Sequence, residues 1–183
     1  MKNTETSGFL SYDIDDQHLF EQKLTTITQG LQRRYSGIFT KMLRENAIAI
    51  TDFITNLNTE INLSINHKVN FIEVLNALSG FHKNKIAFRE MSRENILSFL
   101  DSVRKPEISD PQHKWIGTYN LYRVLVVKFF KWLYYSEMQP SERPKPSVVE
   151  NIPQLKRKER SIYKPSDLWT TEDDLLFFEV LSI

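Results

Sequence analysis

The sequence contains no cysteine, which removes disulfides, thiolate zinc sites and cysteine nucleophiles together. Only 5 of its 183 residues are glycine and none cluster, so phosphate-cradling loops of the GxGxxG or Walker type are absent. No run of about 18 apolar residues occurs, which leaves no candidate membrane span. The stretch from Met1 to Asp16 is polar and acidic and does not read as a secretory signal peptide. The histidines at 18, 67, 82 and 113 share no HxxxH or HxxH spacing, and no Gly-x-Ser-x-Gly elbow is present. Glu90 and Glu94 lie one helical turn apart but straddle a helix start rather than a cleft. The expectation is therefore no metal, no cofactor, no catalytic residue and no small-molecule substrate.

What is present is apolar and aromatic content, 40% and 12%, sufficient for a buried core and for one domain with or without an extension. The net charge of +1 conceals an asymmetry. Residues 1–63 hold 6 basic and 8 acidic side chains, and residues 64–138 hold 11 and 7. Residues 139–164 hold 7 and 3, whereas the last 19 hold no basic and 5 acidic ones. A basic middle between acidic ends suits a polyanionic partner.

Helical periodicity runs through the chain. Phe20, Leu24, Ile27, Leu31, Tyr35, Ile38 and Met42 recur every three or four residues and predict one or two helices, weakened by Gly30 and Gly37. A second stretch from about Ala47 to Asn58 places Ile50, Phe53, Ile54 and Leu57 on one side. Ser64 suits an N-cap for a helix reaching about Phe81, and Ser92 suits one for a shorter helix through Val103. The longest helix is predicted from about Trp115 to Glu137. Residues 139–165 then hold five of the seven prolines and no apolar period, reading as an extended basic linker. A last helix is expected from Thr170, with Leu175, Leu176, Phe177, Phe178, Val180 and Leu181 needing a surface to pack on.

Three places could meet a polyanion. On the long helix Asn120, Arg123, Lys128 and Lys131 fall within an arc of about 140° at 3.6 residues per turn. The opposite arc carries Leu121, Leu125, Val126, Phe129, Phe130, Trp132 and Leu133. Cations interleaved with amides suit phosphates, although the same stripe can be a plain solvated face. His67 and Lys68 sit in the first turn of the Ser64 helix, where backbone N–H groups attract anions or simply bind water. Lys156, Arg157 and Lys158 concentrate charge in the linker, as a groove-tracking strand or as a soluble tether.

These residues together resemble the N-terminal core-binding (SAM-like) domain of tyrosine recombinases of the phage-integrase kind. The likeness covers about residues 46–183. Ser64, His67, Phe71, Leu75 and Leu78 stand at the spacing of the family's first core-binding helix. The run Met91-Ser92-Arg93-Glu94-Asn95-Ile96-Leu97-Ser98-Phe99-Leu100 resembles its second-helix pattern. Thr118-Tyr119-Asn120 through Lys128-Phe129-Phe130-Lys131-Trp132-Leu133 resembles the helix that begins Thr-x-Asn and ends in aromatics. Lys164-Pro165-Ser166-Asp167-Leu168-Trp169-Thr170-Thr171-Glu172-Asp173 resembles the opening of the catalytic domain. Departures are His67 for the usual Thr, Phe71 for Tyr, and the lack of an Asn-Pro at the linker.

The resemblance implies an all-α fold, a four- to five-helix core-binding bundle with an N-terminal helical extension and a C-terminal basic linker plus one helix. Its divisions are an extension over 1–45, a DNA-binding bundle over 46–138, a linker over 139–167 and the first helix of a truncated catalytic domain over 168–183. It implies a DNA-integration and recombination role in which the bundle clamps duplex DNA through His67, Lys68, Asn120, Arg123, Lys128, Lys131, Lys156, Arg157 and Lys158, with possible homo-oligomers on DNA. The family's catalytic Arg, Lys, His and Tyr motifs lie beyond this chain, so no strand cleavage is expected from it alone. A cytoplasmic protein of prokaryotic or viral origin, with no membrane partner, fits that picture. A different reading is a helical adaptor assembling through the Phe20–Met42 stripe and the apolar C-terminal helix. An enzyme with an unfamiliar site is the third.

Overall fold

Six helices make up the regular structure of the computed structural model, which describes residues 14–32 and 34–156. They are α1 (Ile14–Thr28), α2 (Arg34–Phe39), α3 (Arg44–Ile61), α4 (Ile65–Phe81), α5 (Arg93–Asp101) and α6 (Trp115–Tyr134). Short 3-10 turns lie at Phe88–Glu90 and Ser147–Val149. Among the described residues there is no strand, and the fold is an all-α bundle. No described helix is long and apolar enough to cross a membrane.

Local chemistry sets most boundaries. Gly30, at φ +77, supplies the left-handed residue after α1, and Leu31 N–H bonds back to the Thr28 carbonyl at 2.9 Å. Asn62 does the same after α3 at φ 48, its N–H reaching the Asn58 carbonyl. Ser64 caps α4 by accepting the His67 N–H. Ser92 caps α5 in a reciprocal box, its hydroxyl accepting Asn95 N–H while the Asn95 side chain accepts Ser92 N–H at 2.8 Å. The start of α6 is secured from a distance by Asp110, whose carboxylate accepts the Trp115 N–H at 2.9 Å. Burial would raise the Asp110 pKa, but the Trp115 and Lys114 N–H groups and the charges of Lys105 and His113 bring it below the ordinary 3.8.

Phe53 of α3 is the hub of the core. It meets Phe71 of α4 edge-on at 5.0 Å, Phe129 of α6 edge-on at 5.3 Å, and Trp132 at 5.3 Å. Phe88, in the turn after α4, stands edge-on to Phe129 at 4.9 Å and closes that layer. Buried Asn46 ties the same turn to α3. Its amide donates to Ser79 Oγ and the Ile86 carbonyl, and its Oδ1 accepts the Phe88 N–H at 2.7 Å. Every polar atom of this buried amide is therefore paired, as a core amide requires.

The periodicity between Phe20 and Met42 gives two helices, α1 and α2, as expected, and Ile27, Tyr35 and Met42 are buried in the common core, joined by Phe39. α1 packs along α3, and Lys23 of α1 pairs with Asp52 of α3 at 2.7 Å. The basic linker, within its described part, is not extended and detached. Val149 and Ile152 are buried against α5 and α6, and Arg143 is only 7% exposed. Val148 and Leu155 pack against the core beside them, but these few apolar residues stand among prolines and charges, which is why the stretch looks like solvent-exposed chain. The expected helix from Thr170 lies outside the described residues.

Candidate nucleic-acid interface

α6 carries the candidate site because its two faces do different work. Leu125, Val126, Phe129, Phe130 and Leu133 are buried in the bundle. The outward face carries Leu121 and Val124, 44% and 53% exposed, with Lys128 and Lys131 between the next turns. Leu121, expected in the core arc, sits at its margin at 100° per residue and emerges into solvent.

Beside this face the chain after α6 folds back and forms a groove of about 410 Å³. Its walls are Arg123, Val124, Val127, Lys128 and Lys131 on the helix, with Pro140, Arg143 and Lys145 opposite. Among the described residues no carboxylate lines it. Among the described residues none lies within ion-pair distance of the ammonium groups of Lys128, Lys131 or Lys145. Arg143 is committed elsewhere: its guanidinium reaches Glu60 Oε1 at 2.5 Å and Oε2 at 3.3 Å. Its Nε also donates to the carbonyls of Tyr135 and Met138 at 3.1 and 2.9 Å. Arg143 thus builds the wall, and the three lysines supply its unpaired charge.

Lys128 joins α6 to α4. Its Nζ lies 5.9 Å from the centre of the Phe71 ring, near the outer limit of a cation–π contact. Partial burial lowers its pKa below the usual 10.5, the Glu60 carboxylate pulls it back up, and the Arg143 guanidinium pushes it down. Phe71 is four residues beyond His67, on the same side of α4. Through that ring Lys128 of α6 lies against α4 one turn beyond His67. Lys68 is half-buried and His67 is exposed. The His67 ring is not simply presented to solvent, however. Ser64 Oγ lies 3.1 Å from Nδ1, and having accepted the His67 N–H it can give its own proton to that nitrogen.

The outward reading of Asn120 is corrected, whereas Arg123 lines the groove and also holds the returning chain through its Nε. The Asn120 amide donates to the Leu155 carbonyl at 2.8 Å and accepts the Leu155 N–H at 3.0 Å. Arg123 Nε donates to the Ile152 carbonyl at 2.8 Å. Both side chains hold the returning chain, with partners 35 and 29 residues downstream, so no helical wheel shows them. Lys156 follows immediately and is exposed. Arg157 and Lys158 lie outside the described residues. Conversely, Lys145 and Arg143 were not singled out from sequence, because they stand among prolines with no period around them. Their only signal is the charge excess of residues 139–164.

A second cleft of about 280 Å³ lies between α3, the Phe88 turn and α6, lined by Ala49, Phe88, Trp132 and Leu133 with Glu45 and Asp52 at hand. Its Asp52 is already paired with Lys23, and Arg89 lines the cleft as well, so acid and base are mixed there. Among the described residues no three His, Asp or Glu side chains converge as metal ligands would. Comparison with protein-family models, with curated proteins and with solved structures finds no match for this chain.

Proposed function

We propose that this chain is a DNA-binding module of the tyrosine recombinase kind, seating the phosphodiester backbone of duplex DNA on the groove beside α6. The observation that carries this reading is the set of three lysines, 128, 131 and 145, around a groove with no carboxylate among the described residues of its lining. Ammonium groups so placed displace condensed counterions from a polyanion and gain the entropy of their release. A rigid aromatic core behind α6 fixes the backbone that presents Lys128 and Lys131, so binding orders only their side chains. The resemblance of the Ser64, Ser92 and Thr118–Leu133 stretches to the core-binding domain supplies the substrate class. In that reading the chain holds its site without cutting it, and base choice is not set by lysines, which contact phosphates.

Titration of the isotopically labelled protein with a 20–30 base-pair duplex, followed by amide resonances, tests the proposal. Perturbations should concentrate on Val124–Lys131, on Lys145 and on the first turn of α4. Shifts confined to α1, α2 and α5, or none at moderate salt, would contradict it.

A further inference from the structure

Lys131 of the groove and Asn120, which holds the exit of the chain, lie along one line of α6. At 100° per residue, Asn120, Val124 and Lys131 share a stripe about 40° wide. Asn120 pins the backbone of Leu155 through both its N–H and its carbonyl, so exposed Lys156 leaves the bundle on that stripe. From Asn120 to Lys131 the rise is about 16 Å, roughly five phosphate steps of a duplex strand. Two further grips support the hold. Arg123 Nε takes the Ile152 carbonyl from α6, and the Arg93 guanidinium takes the carbonyls of Glu150 and Asn151 from α5. Val149 and Ile152 are buried beneath.

We infer that Asn120 is a positioning residue: by clamping Leu155 it fixes Lys156 in register with Lys131 and Lys128, so that one polyanion backbone meets both sets of cations. The inference rests on the DNA-binding reading for its ligand, though not for its geometry. All three clamping side chains act on backbone atoms. The path of residues 150–155 is thus held by α5 and α6 whatever side chains it carries, and the exit direction belongs to the bundle.

Two measurements test this, and they fail independently. The native chain has no cysteine, so spin labels on Glu137→Cys and Lys156→Cys report one distance. That distance should be narrowly distributed in the otherwise native chain and broad after Asn120→Ala. Leu155→Pro, which deletes the clamped N–H and leaves the carbonyl, should broaden it in the same direction, even if Asn120→Ala folds poorly. A distribution already broad with Asn120 present, or unchanged by both variants, overturns the inference without bearing on DNA binding. The second measurement is the salt dependence of duplex affinity. Lys156→Ala should reduce the slope of log K against log[salt] by about 0.9 when Asn120 is present and by much less after Leu155→Pro. Lys131→Ala should reduce it by about 0.9 in both backgrounds. A purely structural Asn120 would leave the Lys156 effect the same in both, which would refute the positioning role. Absence of any salt-dependent duplex binding would instead remove the DNA reading, leaving the distance result standing.

Discussion

The guanidinium of Arg143 closes on the carboxylate of Glu60 at 2.5 Å across 83 residues of sequence, and this pair fixes Arg143 in the far wall of the α6 groove. With side chains 7% and 22% exposed, both charges are largely withdrawn from water. Such a pair costs desolvation when made and costs more when broken, because the survivor keeps its burial and loses its partner. Glu60→Ala should therefore destabilise the fold by about 2–4 kcal/mol. Arg143→Met in the Glu60→Ala background should add less than it does alone. Urea unfolding of the four species measures the coupling; additive effects would show that the pair is incidental.

Asn46 gives a sharper stability test. Replacing it with Ala strands the Phe88 N–H and the Ile86 carbonyl inside the core and opens a void. A loss of about 2–4 kcal/mol is expected, read from urea or thermal unfolding. A loss under about 0.5 kcal/mol would mean that those groups find other partners.

Acid sensitivity should trace partly to Asp110. Its folded pKa is held below the ordinary 3.8, so its contribution is complete well above that value. As pH falls through 3.8 toward the lowered pKa, the contribution is lost. Asp110→Asn should lower the thermal midpoint at pH 7, and the difference from the native chain should shrink below pH 4. A difference independent of pH would locate the effect in packing and not in the carboxylate charge.

Lys128 sets function against stability. Its folded pKa lies below 10.5, because burial disfavours its charge. The resulting penalty is full below the lowered pKa and fades as pH climbs from there toward 10.5. Lys128→Met keeps the stem over Phe71 and removes the charge. It should raise the thermal midpoint by about 1–2 °C at pH 7 while weakening duplex binding. A variant that loses stability would show that the ammonium–ring contact outweighs the burial.

What could be read in the sequence was what depends on near neighbours. Ser64, Ser92 and the aromatic face of α6 act within one or two turns, so caps and periodicity disclosed them before any fold was known. The start of α6 at Trp115 was legible too, although its Asp110 partner was not. Partnerships across 29 or more residues stayed hidden. Asn120 and Arg123 looked like outward polar groups because Leu155 and Ile152 belong to a stretch whose prolines suggested loose chain. Lys145 escaped notice for the same reason. The stripe from Phe20 to Met42 was visible, but only the fold shows that its α1 part packs along α3 and that Tyr35 reaches Glu73 of α4. Charge segregation located the basic region without showing which cations face a common groove.

The account depends most on Lys128, Lys131 and Lys145 meeting nucleic-acid phosphates together. Its most direct test is duplex affinity from low to moderate salt for the native chain and for the triple Lys→Ala variant. The native slope of log K against log[salt] should exceed that of the variant by about 2.7, at about 0.9 per lost phosphate contact. Equal slopes in a variant that remains folded would contradict the account.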